Sequence, residues 1–407
     1  MQFFKTIAAN TFWQTLARIV SSGISFFITI VVARLLGVQG YGDLAKITAF
    51  VSLFYLAVDL GLNAIFLQME NSEHHFEDLL SFRMFLAFAL FLIVGLFGAT
   101  LPFSPVSGIG YSPLVKLGIG LFSLTFFTRA IVFSTTVIFQ KNYLYKFSAF
   151  STILGSLFTL FFIAIFLMLH LPFIFVVGAY VIGSFAEAII SLIFAKKRIF
   201  KFSLNIPFIK SMVIKTLPIA LMLFLNLVYF RIDMIILSLI QPTKDVAIYD
   251  LAYKFFDFLI ALPLFLSNSL YPALLATEKN TRIVIPKLIV YTLGFFFLGI
   301  IIALPVWFFS PLIALIKPEF SQSTFALRLL ILSLPIFFAT NILQWIFIAK
   351  RRQVFLSFVY FIFLILNVIL NIIYIPHFSY VASAIITGVS EAGVLAALLV
   401  YSLTKKI

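Results

Sequence analysis

From Thr11 to Ile30 the chain reads TFWQTLARIVSSGISFFITI. Its polar members, Thr11, Gln14, Arg18, Ser22, Ser25 and Thr29, recur at spacings of 3, 4, 4, 3 and 4, the interval that stacks side chains on one face of an α-helix. Phe12, Ile19, Phe26 and Ile30 cover the rest. The stretch is long enough to cross a bilayer, yet one face of it is wet. A charged side chain at mid-membrane costs ~2.5 to more than 10 kcal/mol, so it normally faces a cavity or a partner. Two arrangements satisfy this: a polar lining, or a helix–helix seam with Arg18 paired to a carboxylate such as Asp59.

The remainder has the same character. Of 407 residues 63% are apolar and 10% charged, against roughly 25% charged in soluble domains, which excludes a soluble fold. Spans of about 20 residues start near Thr11, Leu44, Leu79, Pro113, Phe147, Pro172, Met212, Ala247, Ile285, Phe325, Val354 and Tyr380. The expectation is an all-α polytopic membrane protein of about twelve transmembrane helices, with too little chain left for a globular domain outside the bilayer. The absence of cysteine excludes disulfides, thiolate metal sites and thiol nucleophiles. No cleavable signal is expected, since the stretch after Lys5 leads into Arg34 rather than a small-residue cleavage site.

The net charge of +14 has a topological cause rather than a nucleic-acid partner. Alternate connections carry Lys5, Arg83, Lys141, Lys146, the run Lys196, Lys197, Arg198, Lys201, Lys210 and Lys215, then Lys279, Arg282, Lys287, Lys350, Arg351, Arg352, Lys405 and Lys406, eighteen of the 28 basic residues. The opposite side has Arg34, Lys46, Lys116, Lys244 and Lys317. The bias places both termini in the cytoplasm.

The chain also repeats itself. Asp43-Leu44-Ala45 returns as Asp250-Leu251-Ala252, Lys141 to Ser148 corresponds to Lys350 to Ser357, and Ser184 to Ala188 resembles Gly388 to Ala392. Three matches in order imply two six-helix, pseudo-symmetric lobes: an N-terminal lobe 1–195 with helices one to six, a basic cytoplasmic linker 196–211, and a C-terminal lobe 212–407 with helices seven to twelve.

Charge inside the spans marks candidate sites. Span eight opens with Asp250, Lys254 and Asp257 on one face, where Lys254 is either neutralised by its own aspartates or held for a ligand. Span seven has Asn226, Arg231 and Asp233, with Arg231 and Asp233 pointing apart because two residues turn a helix by about 200°. Arg129 and Arg328 are further intramembrane cations, the latter placed to snorkel. A second grouping has oxygens: Asn367 and Asn371 in span eleven, Ser383, Thr387 and Glu391 in span twelve, and Asp233. These suit a hard cation such as Na⁺ or a proton, or simply hydrogen-bond helix to helix. Glu187 and Glu391, matched across the repeats, are either structural acids or protonatable coupling groups. His74-His75, among Glu70, Glu73, Glu77 and Asp78, reads as a solvated acidic connection and not a metal site. No Walker loop, HExxH helix or GxSxG turn is present.

Asn10 through Trp13 and Arg18 into Val32-Ala33-Arg34-Leu35-Leu36-Gly37, then Tyr41-Gly42-Asp43-Leu44 and Asp59-Leu60-Gly61-Leu62, resemble the opening of polysaccharide (O-antigen or capsule) flippases of the multidrug/oligosaccharidyl-lipid/polysaccharide (MOP) exporter superfamily. Arg231-Ile232-Asp233-Met234-Ile235, Ile248 to Lys254, Tyr271-Pro272-Ala273-Leu274 and Ala382 to Glu391 are similar to that family's later helices. The resemblance implies a V-shaped, MATE-like pair of bundles working by alternating access, with helices one, two, seven and eight lining the cavity. Arg18, Arg231 and Lys254 would then meet a diphosphate, and Gln14, Ser22, Ser25, Asp59 and Asp257 would line the cavity. In the related lipid II flippases some members have a cation site on helices seven, eleven and twelve, to which Asp233, Asn367, Asn371 and Thr387 correspond. The asparagine pair offers fewer negative ligands, and the two extra C-terminal helices of that branch are missing, which argues against a lipid II role.

The expected function is a non-enzymatic flippase of the bacterial inner membrane, carrying undecaprenyl-diphosphate-linked oligosaccharide, an O-antigen or capsule repeat unit, to the periplasmic leaflet. Expected partners are this lipid-linked cargo, the bilayer and glycan polymerase machinery, with no nucleic acid and no cofactor beyond Na⁺ or H⁺ as coupling ion. The alternatives are a cation-coupled multidrug exporter, whose cavity would carry carboxylates and aromatics, and a membrane glycan polymerase or ligase. The latter needs a sizeable outer loop, whereas the stretches near Pro102 to Pro113 and Ser310 to Thr324 are short.

Overall fold

The computed structural model describes residues 2–69, 75–196, 203–278 and 285–405, with side chains described from residue 20 onward except at 265, 268–278, 285–287 and 405. The side chains of Gln14 and Arg18, His74, the basic connection at 197–202, and Lys279 with Arg282 lie outside the described residues.

The helices are α1 (Gln2–Ser52), α2 (Tyr55–Asp59), α3 (Leu62–Gln68), α4 (Phe76–Thr100), α5 (Pro113–Phe122), α6 (Thr125–Lys141), α7 (Tyr145–Met168), α8 (Phe173–Ala195), α9 (Ile206–Ile240), α10 (Thr243–Glu278), α11 (Ile285–Phe309), α12 (Ser321–Ala349) and α13 (Gln353–Lys405). At 1.5 Å per residue, α1 and α13 would each be roughly 75–80 Å long if straight, more than twice the ~30 Å hydrocarbon core. Each is interrupted once, at Gly37 (φ 67°, ψ −174°) and at Ser379 (φ 49°, ψ −136°), and so holds parts of two spans. Gly37 has a positive φ open to a residue without Cβ, and an added Cβ would come within 2.9 Å of Glu319. Nine helical stretches among the described residues are long and apolar enough to cross a membrane. Dividing Val20–Gln68 and Gln353–Thr404 at their interruptions and adding the more polar α10 brings the crossings to twelve.

The chain forms two compact units. Unit 1 comprises Met1–Leu36, Asp43–Val106 and Tyr111–Phe224; unit 2 comprises Gly37–Gly42, Ser107–Gly110 and Leu225–Ile407. In unit 1, α7 and α8 approach closely at Gly155 and Gly183; a Cβ on Gly155 would sit 2.6 Å from that of Glu187. The start of α9 is tied to α4, where Asp78 accepts hydrogen bonds from Ser203 Oγ (2.6 Å) and the Asn205 N–H (3.0 Å). In unit 2 the Gly37–Gly42 segment is anchored by the Val38 N–H to Glu319 (3.0 Å) and by the Tyr41 hydroxyl to Asp250 (2.5 Å).

Two basic residues expected in connections are buried inside helices. Arg83 is not in a cytoplasmic connection but inside α4, fully buried, with Nη2 2.8 Å from Asp59 Oδ1. The cause is a break in the second span. After Asp59 the backbone turns left-handed at Leu60 (φ 48°) and Gly61 (φ 68°) before α3 begins, which leaves carbonyls of α2 without helical donors. Arg83 Nη2 reaches the Asp59 carbonyl (3.4 Å) and Asn63 Oδ1 (2.9 Å), and Nη1 reaches Ser134 Oγ (3.3 Å), so the guanidinium splints the break. Lys46, expected in an outer connection, is buried within α1 with its ammonium 5.9 Å from the Tyr111 ring centre, because α1 runs on past Gly37 to Ser52.

Candidate functional site

Unit 2 holds two sets of polar groups on its helices. On α9 and α10, Arg231 Nη2 lies 2.8 Å from Asp257 Oδ2 with its guanidinium 5.3 Å above the Tyr253 ring, and both charged side chains keep more than a quarter of their surface exposed. Asp250, buried, accepts the Tyr41 hydroxyl. Both aspartates on the face of Lys254 are therefore engaged elsewhere. Lys254 itself is half-buried and has no ion-pair partner among the described residues. It stands about 16 Å along α10, well inside a membrane-length helix.

Asp233 is buried and accepts hydrogen bonds from the Tyr249 hydroxyl and from Thr387 Oγ1 (3.3 Å). Asn371 Nδ2 donates to Asn367 Oδ1 (2.8 Å), and Asn367 Nδ2 donates to Ser390 Oγ (3.2 Å). Asn371 Oδ1 and Ser383 Oγ are buried without a hydrogen-bond partner among the described residues. Neutral oxygens and a single carboxylate are of the kind that suits a monovalent cation or a proton; no group of three His, Asp or Glu gathers among the described residues. Glu391, on the same helix as Thr387, is buried and accepts the Tyr229 hydroxyl (3.0 Å).

In unit 1, Ser22 and Ser25 on α1 are exposed, and Asp59 is held by Arg83. Arg129 lies 3.8 Å from Glu187. Arg328 donates to Ser310 Oγ (2.9 Å) over the Trp307 ring, near the end of its helix. The tyrosines 41, 229, 249 and 253 escaped the sequence reading because an aromatic in an apolar helix counts as apolar. The spacing of Tyr249 and Tyr253, i and i+4 beside Asp250 and Lys254, was the available signal.

Residues 7–278 match the family model described as polysaccharide biosynthesis protein. The chain belongs to this family. The MatE family model matches residues 218–373. No curated protein sequence matches the chain. Among solved structures it is similar to a lipid II flippase MurJ in an inward closed conformation, with TM-score 0.79 at 15% identity over 96% of this chain and 87% of the other. An inward-facing multidrug resistance MATE family transporter gives 0.74 at 12% identity over 96% and 94%. A MOP superfamily transporter from Pyrococcus furiosus, described as having a binding pocket of reverse polarity, gives 0.64 at 12% identity over 98% and 95%. At these identities the likeness is one of fold.

Proposed function

We propose that this family member flips a polyprenyl-diphosphate-linked oligosaccharide, of the O-antigen or capsule type, across a bacterial inner membrane, with both termini in the cytoplasm. The observation that carries this reading is Lys254, a half-buried cation deep in a membrane helix whose neighbouring aspartates are committed to Tyr41 and Arg231. A cation so placed is costly unless an anion answers it, and a diphosphate is such an anion. The basic Arg18 on the polar face of α1 belongs to the same reading. In proteoliposomes the wild type should move labelled undecaprenyl-diphosphate oligosaccharide between leaflets. Arg18→Ala should abolish that movement and Arg18→Lys retain part of it, because a point charge replaces only some of a guanidinium's phosphate contacts. Wild-type flipping by Arg18→Ala would remove Arg18 from the site, and an inert wild type would overturn the function.

A second reading, export of organic cations, is favoured by the MatE match; protection of cells from such compounds by expression of this chain would support it over the first. Under either reading the Asp233 grouping serves coupling. A monovalent cation or proton at Asp233, with Asn367, Asn371 and Thr387, biases transport if it binds one state more tightly than the other. Asp233→Asn should then leave diphosphate binding intact and abolish the dependence of flipping on Na⁺ or pH gradients. Wild-type transport indifferent to Na⁺, pH gradient and membrane potential would leave Asp233 as a hydrogen-bond acceptor alone.

A further inference from the structure

Among the described side chains of unit 1, the arginines Arg83 and Arg129 stand in contrasting settings. Arg83 is buried and reaches four oxygens. Arg129 is 35% exposed, sits 5.4 Å over the Tyr55 ring, and meets its nearest carboxylate, Glu187 Oε2, only at 3.8 Å, beyond hydrogen-bond distance. The 29-residue stretch Pro113–Lys141 is long and apolar enough to cross a membrane, and Arg129 lies near its middle. A guanidinium exposed there cannot face lipid cheaply, so its open side marks a polar space. Glu187 is buried, and its other oxygen accepts Thr152 Oγ1 at 2.9 Å. The repeat-matched Glu391 has a tyrosine and no ion-pair partner among the described residues, so a cation beside this acid is not a requirement of the repeated fold.

We propose that Arg129, with Tyr55 beneath it and Glu187 as resident counter-ion, is an anion-binding point of unit 1. Taking the flippase reading as its basis, it receives an anionic oxygen group of the cargo, either a phosphate of the lipid or a carboxylate of the glycan. Glu187 neutralises the guanidinium from 3.8 Å; an incoming oxyanion closes to hydrogen-bond distance, takes the open edge, and leaves Glu187 with Thr152. Glu187 therefore competes with the ligand rather than helping it. The groups facing Glu187 are Arg129 on α6, Tyr55 on α2 and Thr152 on α7.

The test uses purified full-length protein in detergent, with inorganic diphosphate and methyl glucuronide as soluble probes and undecaprenyl diphosphate as the lipid. Arg129→Gln should weaken probe binding about 10-fold, the worth of one charge-assisted hydrogen bond. Arg129→Lys should restore part of the loss. Glu187→Gln should tighten binding about three-fold or more, since it removes the competing charge. A structural role would weaken binding in both variants, so the opposite signs are diagnostic. Loss confined to diphosphate assigns the point to the lipid phosphate, and loss confined to glucuronide assigns it to the glycan. Probe binding unaffected by Arg129→Gln, weakened by Glu187→Gln, or absent in the wild type would overturn the proposal. Undecaprenyl diphosphate failing to bind while the soluble probes respond as stated would sink the flippase reading and leave the anion point standing.

Discussion

Arg83→Leu is expected to destabilise the protein by about 3 kcal/mol, the lower end of what breaking a buried ion pair costs, because Asp59 keeps some contact with solvent. The substitution leaves the Asp59 carboxylate uncompensated and strips Asn63 Oδ1, Ser134 Oγ and the Asp59 carbonyl of a donor, all at the Leu60–Gly61 break. Replacing both partners, as Arg83→Leu with Asp59→Leu, should recover much of the loss, since exchanging a buried pair for apolar side chains is often neutral. Thermal unfolding in detergent reads this directly. A single variant that melts with the wild type would mean the guanidinium is not the splint of the broken span.

Lys254→Ala is expected to weaken binding of undecaprenyl diphosphate roughly 10- to 100-fold, from the ~1.5–3 kcal/mol carried by hydrogen bonds to charged groups. Lys254→Arg should keep most of the affinity. Arg231→Ala should weaken binding at least as much, for a different reason: it removes a cation and also exposes Asp257, which then repels the phosphate. The double variant Arg231→Ala, Asp257→Ala separates the two effects, because it restores the net charge without the guanidinium. Wild-type affinity in the double variant would make Arg231 the keeper of Asp257 rather than a ligand, while unchanged binding in Lys254→Ala would remove the central support for a diphosphate cargo.

The division between what was readable from the chain and what was not follows the range of the forces involved. Partition into the bilayer is a sum over about 20 neighbouring residues. The spans, their all-helical character and the start of a new span near Tyr380 were accordingly legible without a structure. So was the grouping of Asn367, Asn371, Ser383 and Thr387 as polar residues on helices near the end of the chain, because helical periodicity is local.

The choice of partner is not local. Asp59 and Arg83 are 24 residues apart and meet only because the second span breaks, an event that Leu60-Gly61 permits but does not announce. Tyr41 takes Asp250 across 209 positions, and Arg231 takes Asp257 across 26. Those two contacts decide that Lys254, flanked by carboxylates in the sequence, is left without one among the described residues. The sequence by itself marked most of the charges that the helices carry, though it left Arg83 and Lys46 in connections. The tertiary structure decided which of those charges are already answered, because in a low-dielectric interior a pair is set by a few ångströms of separation in space and not by distance along the chain.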